Sequence, residues 1–316
     1  MIGEAYCRFF TRINFLDNSS GLFTANRFGS SYGNTPNFEG ISFGQSFVTD
    51  ANGFRIDPAF QSKTQDRESI LLIGDSVGFG PAVDDSNTIA GKLRTAMPET
   101  QVYNASVIGY DTYDYKNAVT QIVNAKPQIN SVVLLFCLND VNDASSQQIR
   151  NQTSTLGQAP DESSIPRRIN AFLRSRSKLY LWLKNALIDT QITAFKFDLA
   201  FYQKGKENLD GALKPLSELR DDLNSRGIKL KVFVMPYEAQ LRGNAAESDL
   251  EPQRMLMAYF KEHNVESFEL LQDFRASGHN TNHLFLYGDA MHFSEEGHAV
   301  AAAAVCKQLP ECNLAK

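Results

Sequence analysis

Short runs of large apolar residues recur between residues 69 and 309, separated by longer stretches of helical spacing. Ser69–Gly74 (SILLIG) is apolar at successive positions, the pattern of a strand buried on both faces of a sheet. A helix is expected over Asn87–Met97, stopped by Pro98, then a strand over Gln101–Asn104. A second helix, Tyr113–Ala125, ends before Pro127, and Ser131–Leu138 (SVVLLFCL) is the clearest strand of the chain. Leu209–Arg226 has helical spacing despite Pro215 and closes at Gly227. A buried strand Ile228–Met235 follows, then a helix Pro252–His263, a strand Val265–Phe268 and a closing helix Ser294–Leu309. Strands alternating with helices in this way predict a parallel sheet covered by helices on both faces, its connections right-handed.

Three regions break the rhythm. The first 60 residues are rich in aromatics, Asn and Gly and have little helical periodicity. Within Phe43–Ile56, Asn52-Gly53 can supply the positive φ angles of a tight hairpin turn, so an N-terminal arm packed on the rest is expected. Ala144–Ser164 is polar and reads as a long loop. Ile165–Lys206 then reads as an aromatic, basic helical insertion carrying Arg167, Arg168, Arg174, Arg176, Lys178 and Lys184. Leu173, Leu179, Leu183 and Leu187 share an apolar stripe there with Trp182 alongside. One reading is a packed excursion with a solvated basic face. The other is a lid, or a docking surface for an anionic polymer or membrane headgroups.

Composition narrows the class. The chain has 316 residues, 42% hydrophobic and 21% charged, ordinary for a globular protein with a sizeable core. Its 31 basic and 36 acidic residues leave a net charge of −5, which argues against a nucleic-acid partner. No apolar run approaches the length that spans a bilayer. Met1–Phe10 lacks the basic end and long apolar core of a signal peptide. Of the cysteines, Cys137 lies in an apolar run and reads as a buried small hydrophobe. Cys306 and Cys312 either close a small loop, implying an oxidising compartment, or are two free thiols. No spacing of Cys and His suggests a metal site. An α/β enzyme is the leading class.

The candidate chemistry sits where apolar strands end. In Gly74-Asp75-Ser76 a serine follows a buried strand, and open α/β sheets place their sites at the carboxyl ends of strands. Alone this is as readily a helix cap. Asp289 and His292, three residues apart before the closing helix, can share a turn in which the carboxylate holds the imidazole as a proton acceptor. His263, His279, His283 and His298 lack such a partner and read as surface or capping residues. Gly109, after the second strand, and Asn139, after the third, can donate to an oxyanion beside Ser76.

Gly74-Asp75-Ser76-Val77, the segment Asn104–Gly109 (NASVIG), Cys137-Leu138-Asn139-Asp140 and Asp289–His292 together resemble the ordered blocks of the SGNH, or GDSL-type, hydrolases. The resemblance spans roughly Glu68–Leu309 and departs at Val77, often Leu, and at Cys137, usually Gly. It implies a three-layer α/β/α sandwich with a flavodoxin-like central parallel sheet, plus the N-terminal arm and the helical insertion. Residues 1–67 would form the arm and 68–316 the catalytic domain, with the insertion at about 144–206. Carried over by position, Ser76 is nucleophile, His292 base and Asp289 its orienter. The oxyanion donors are the Ser76 and Gly109 N–H groups and the Asn139 amide. The resemblance implies no cofactor and no metal.

The expected activity is hydrolysis of a small acyl ester, acetyl first, through an acyl-Ser76 intermediate, on a substrate that includes acylated carbohydrate. Two alternatives stand beside it: O-acetyl transfer to a cell-surface or exported polysaccharide, and a non-catalytic carbohydrate-binding protein on the same fold. Asp50–Arg55 (DANGFR) is similar to a segment preceding the GDS block in bacterial members, some exported or membrane-tethered. Gly3–Phe9 looks like a stretch following a removed membrane anchor. An exported, periplasmic or tethered location is therefore expected over a cytoplasmic one, with membrane or polysaccharide proximity through the basic insertion.

Overall fold

The structure is a computed structural model and describes residues 2–11, 13–15, 17–57, 68–141, 169, 172–243, 245–310 and 312–314. The expected loop Ala144–Ser164, together with Arg167 and Arg168, lies outside them. Five strands form a parallel core in the order β10 (Glu266–Glu269), β9 (Lys229–Val234), β8 (Ile129–Phe136), β6 (Ser69–Gly74) and β7 (Gln101–Asn104). Every residue of β6 is buried, as its unbroken apolar run requires of a strand covered on both sides. Helices α2 (Ile89–Ala96) and α7 (Glu295–Cys306) pack together, as do α3 (Thr112–Ala125) and α6 (Lys206–Ser225). These pairs belong to the two helical layers that flank the sheet. Pro215 lies inside α6 without ending it.

The chain leaves β6 toward β7 on one side and later returns to β8 on the other. This reversal of strand order opens a crevice at the carboxyl end of β6. Ser76 begins two residues beyond that end.

The arm is more than the single hairpin expected. It extends the sheet with β5 (Arg55–Ile56), β4 (Gln45–Thr49) and β3 (Glu39–Ser42), all antiparallel, so the eight-stranded sheet is mixed. A separate ribbon pairs β1 (Phe23–Arg27) with β2 (Ser30–Asn34). The turn between β4 and β5 is the one read from Asn52-Gly53. Gly53 has φ +81°, and a Cβ there would meet the Asn34 carbonyl at 2.5 Å, so only glycine fits. Asp50 closes the turn by accepting from the Asn52 and Phe54 amides at 2.7 and 2.9 Å.

The described part of the insertion holds α4 (Lys178–Leu187) and α5 (Thr190–Tyr202), and helix α1 (Ile2–Phe10) packs on α4. The leucine stripe divides: Leu173 and Leu179 are half-buried, Leu179 against Gly3 of α1, whereas Leu183 and Leu187 are exposed, as is Trp182. Spacing identifies an apolar face but not what that face meets. His298 also departs from expectation. It lies fully buried beneath Gly80, and neither ring nitrogen has a hydrogen-bond partner among the described residues. Burial and the charge of Arg55 push it down to about 3, so it stays neutral. Cys137 is buried, and Cys306 and Cys312 form a disulfide.

Candidate active site

Ser76 opens a single helical turn, Ser76–Phe79, directly off β6. Gly74 makes the turn possible: a Cβ there would lie 2.8 Å from the Leu135 carbonyl of the neighbouring strand. The Asp75 carboxylate caps the turn, accepting from the Val77 amide at 2.8 Å, and Gly80 ends it with φ +77°. The far end of the turn is held from the arm. Arg55, fully buried, donates to the carbonyls of Phe79 at 2.7 Å, Gly80 at 2.6 Å and Val83. Asp85 lies between Arg55 and Arg94, so two buried guanidiniums share one carboxylate. The Ser76 side chain is therefore fixed from both ends while remaining 8% exposed.

His292 reaches it from the opposite end of the chain. The imidazole Nε2 lies 2.8 Å from Ser76 Oγ, and Nδ1 lies 2.7 Å from Asp289 Oδ2. The carboxylate accepting at Nδ1 leaves the lone pair of Nε2 facing the serine hydroxyl. The second carboxylate oxygen of Asp289 accepts from the backbone of Met291 and His292 at 3.0 and 2.9 Å, which locks the three-residue turn. Burial opposes the imidazolium, but the charge and hydrogen bond of Asp289 outweigh it, and His292 is raised above the ordinary histidine value. Burial likewise pushes Asp289 up, yet His292 and the two amides hold it below the usual carboxylate range. The two shifts agree: the pair favours aspartate with imidazolium.

Gly109 follows β7 and Asn139 follows β8, the two strands that flank β6, so they stand on either side of Ser76 at the same sheet edge. Gly109 has φ +82°, and a Cβ there would meet the Tyr32 hydroxyl at 2.8 Å. Asn139 Nδ2 donates to Asp75 Oδ2 at 3.3 Å, an oxygen also 3.3 Å from Ser76 Oγ. Contacts therefore join Ser76, His292 and Asp289 directly and Asn139 through Asp75, while Gly109 is placed only by its position after β7. Cys137, in place of the expected glycine, turns its side chain into the core. Among the described residues no group of His, Cys, Asp and Glu is placed to hold a metal ion.

The structure adds residues that sequence reasoning did not single out. The Tyr237 hydroxyl donates to Asp198 at 2.8 Å and stands 3.4 Å from Asn139 Oδ1, tying α5 to the asparagine. Thr190 and Gln191 of α5 donate to the carbonyls of Gly288 and Asp289 at 2.9 and 3.2 Å. Phe43, at the tip of the β3–β4 hairpin, packs against His292. Position just beyond β9 was a usable signal for Tyr237. For Phe43 there was none, because only folding brings the arm to the site. A cavity of about 230 Å³ opens beside His292, with Asn14, Arg174, Lys184, Asn185 and Tyr287 in its wall.

A serine after the central strand of a doubly covered sheet, within hydrogen-bond reach of a histidine that is held in turn by an aspartate three residues before it, is an arrangement suited to serine-dependent acyl transfer. Residues 197–315 match the family model described as the SGNH hydrolase-like domain of acetyltransferase AlgX. That match takes in Asp289 and His292, while Ser76 lies outside it. No curated protein matches the chain. Among solved structures, an acetylxylan esterase from Geobacillus stearothermophilus is 16% identical, covering 80% of this chain and all of its own, with a TM-score of 0.46. A member of the lipolytic G-D-S-L family from Veillonella parvula is 14% identical, covering 76% of this chain and 97% of its own, with a TM-score of 0.43.

Proposed function

We propose that this protein is a serine-dependent ester hydrolase that cleaves a small acyl group, acetyl first, from a carbohydrate ester. The observation that carries the reading is the 2.8 Å contact from Ser76 Oγ to His292 Nε2, with Asp289 behind it. Ser76 Oγ attacks the acyl carbon while its proton passes to His292 Nε2. The oxyanion is received by the Ser76 and Gly109 N–H groups and the Asn139 amide. Collapse expels the alcohol, which takes the proton back from His292, and leaves acyl-Ser76. Water, deprotonated by the same nitrogen, then releases the acid. No step requires a metal or organic cofactor.

A second reading replaces water with a sugar hydroxyl, making the protein an O-acetyltransferase on a cell-surface or exported polysaccharide. The acetyltransferase family model supports it, as does the cavity beside His292, whose Asn14, Asn185, Tyr287, Arg174 and Lys184 offer hydrogen bonds and positive charge to a glycan. The third reading, a non-catalytic binding protein, has the Ser76–His292 contact against it. The Cys306–Cys312 disulfide supports an oxidising, extracytoplasmic location.

The test is release of nitrophenol from p-nitrophenyl acetate by wild type and Ser76→Ala, with and without a polysaccharide acceptor. Loss of turnover in the variant, by about 10³-fold or more, is expected. Acceleration by acceptor with acetyl appearing on the sugar selects transfer over hydrolysis. Equal rates in both proteins would refute a nucleophilic Ser76.

A further inference from the structure

Helix α4 has two sides of opposite character. Its inner side, with Leu181, Lys184 and Asn185, lines the cavity beside His292. Its outer side presents Trp182, Leu183, Ala186 and Leu187, adjacent around the helix and without one charged or polar side chain among them. Leu187 is 83% exposed and Trp182 44%. A helix in a globular protein ordinarily turns such a face inward.

The adjoining α1 continues this surface. Its Glu4 carboxylate accepts from the Ser177 hydroxyl and from the amides of Lys178 and Leu179 at 2.8, 3.1 and 3.0 Å, so α1 caps the first turn of α4. The same α1 leaves Tyr6 and Phe9 exposed, Phe9 at 80%. Of the cations on these helices, Arg174 and Lys184 line the cavity beside His292 and Arg8 is paired with Glu4 at 2.7 Å, which leaves Arg176, just before α4, and Lys178, in its first turn, for the outer side.

We propose that α1 and α4 dock this protein on an anionic lipid bilayer. Trp182, Leu183 and Leu187 enter the boundary between headgroups and acyl chains, and Arg176 and Lys178 meet acidic headgroups. Exposed apolar and aromatic side chains with Lys and Arg at one end are the chemistry of an interfacial helix. A polysaccharide would satisfy the cations but offer nothing to four apolar side chains in a row. A second copy of the chain would bring the same cations face to face.

Trp182 is the only tryptophan of the chain, so its emission reports on this face directly. The full protein is titrated with vesicles of phosphatidylcholine alone and of phosphatidylcholine with phosphatidylglycerol, and bound protein is measured by co-sedimentation. Expected is a blue shift with the anionic vesicles, weakened by salt, and about tenfold weaker partitioning of Leu187→Glu. Leu187 is exposed, so an unchanged thermal midpoint separates lost docking from lost folding. Arg176→Gln with Lys178→Gln is expected to remove the preference for anionic lipid. No shift and no co-sedimentation at millimolar lipid would overturn the proposal. So would a blue shift that follows protein concentration without vesicles, which marks self-association, or one produced only by an acidic polysaccharide.

Discussion

The ring of Phe43 stands edge-on to the imidazole of His292, centroids 5.5 Å apart and planes at 84°. The residues are brought together from opposite ends of the chain. Phe43 adopts φ +49°, a left-handed conformation that costs a non-glycine residue of the order of 1 kcal/mol, and the Asp17 carbonyl accepts from its amide at 2.8 Å. A bulky residue held there against its own backbone preference has its ring fixed as a wall of the site.

Phe43→Ala is therefore expected to widen the site beside His292. The ratio of butyryl to acetyl ester turnover should rise severalfold, while acetyl turnover falls. Steady-state kinetics on the nitrophenyl esters measures it. An unchanged ratio would mean that the ring supports the histidine without bounding the acyl group.

Acyl transfer needs His292 neutral at Nε2, and Asp289 raises its pKa. The acid limb of kcat/KM is thus expected above the ordinary histidine value of about 6.5, with activity falling as pH drops through it. Asp289→Asn removes the charge that favours imidazolium. The limb should move to lower pH, and kcat should fall by the order of 10³–10⁴-fold. A limb that stays in place would show that another group sets it.

Arg55 is the structural content of the DANGFR segment. Burial lowers its pKa to about 10 against the opposing pull of Asp85, so it remains charged near neutrality. Arg55→Met would leave the Phe79, Gly80 and Val83 carbonyls without their donor and Asp85 with only Arg94. A loss of about 3–5 kcal/mol in stability is expected from chemical denaturation. Arg55→Lys should recover part of it, because an ammonium can reach one or two of those carbonyls but not span three. No loss in either variant would mean that water replaces the guanidinium.

The parallel core was legible because a strand buried on both faces must be apolar at successive positions. β6 is found over the residues read for it, and β7 likewise. β8 stops at Phe136, two residues early, because the Cys137 amide turns to donate to the Asp140 carboxylate at 2.8 Å. The site residues were legible for a related reason: chemistry at a strand end needs particular residue types at fixed short spacings, as in Gly74–Ser76 and Asp289–His292.

What the sequence determined by itself is thus whatever is local: which segments can be strands, which turns demand glycine, and which side chains can share a turn. Tertiary structure alone decided which surfaces meet. It carried Phe43 to His292, drove Arg55 beneath the serine turn, buried His298 and turned Trp182, Leu183 and Leu187 outward. Those outcomes depend on contacts between residues tens to hundreds of positions apart, and hydrophobic spacing records that a face is apolar without naming its neighbour.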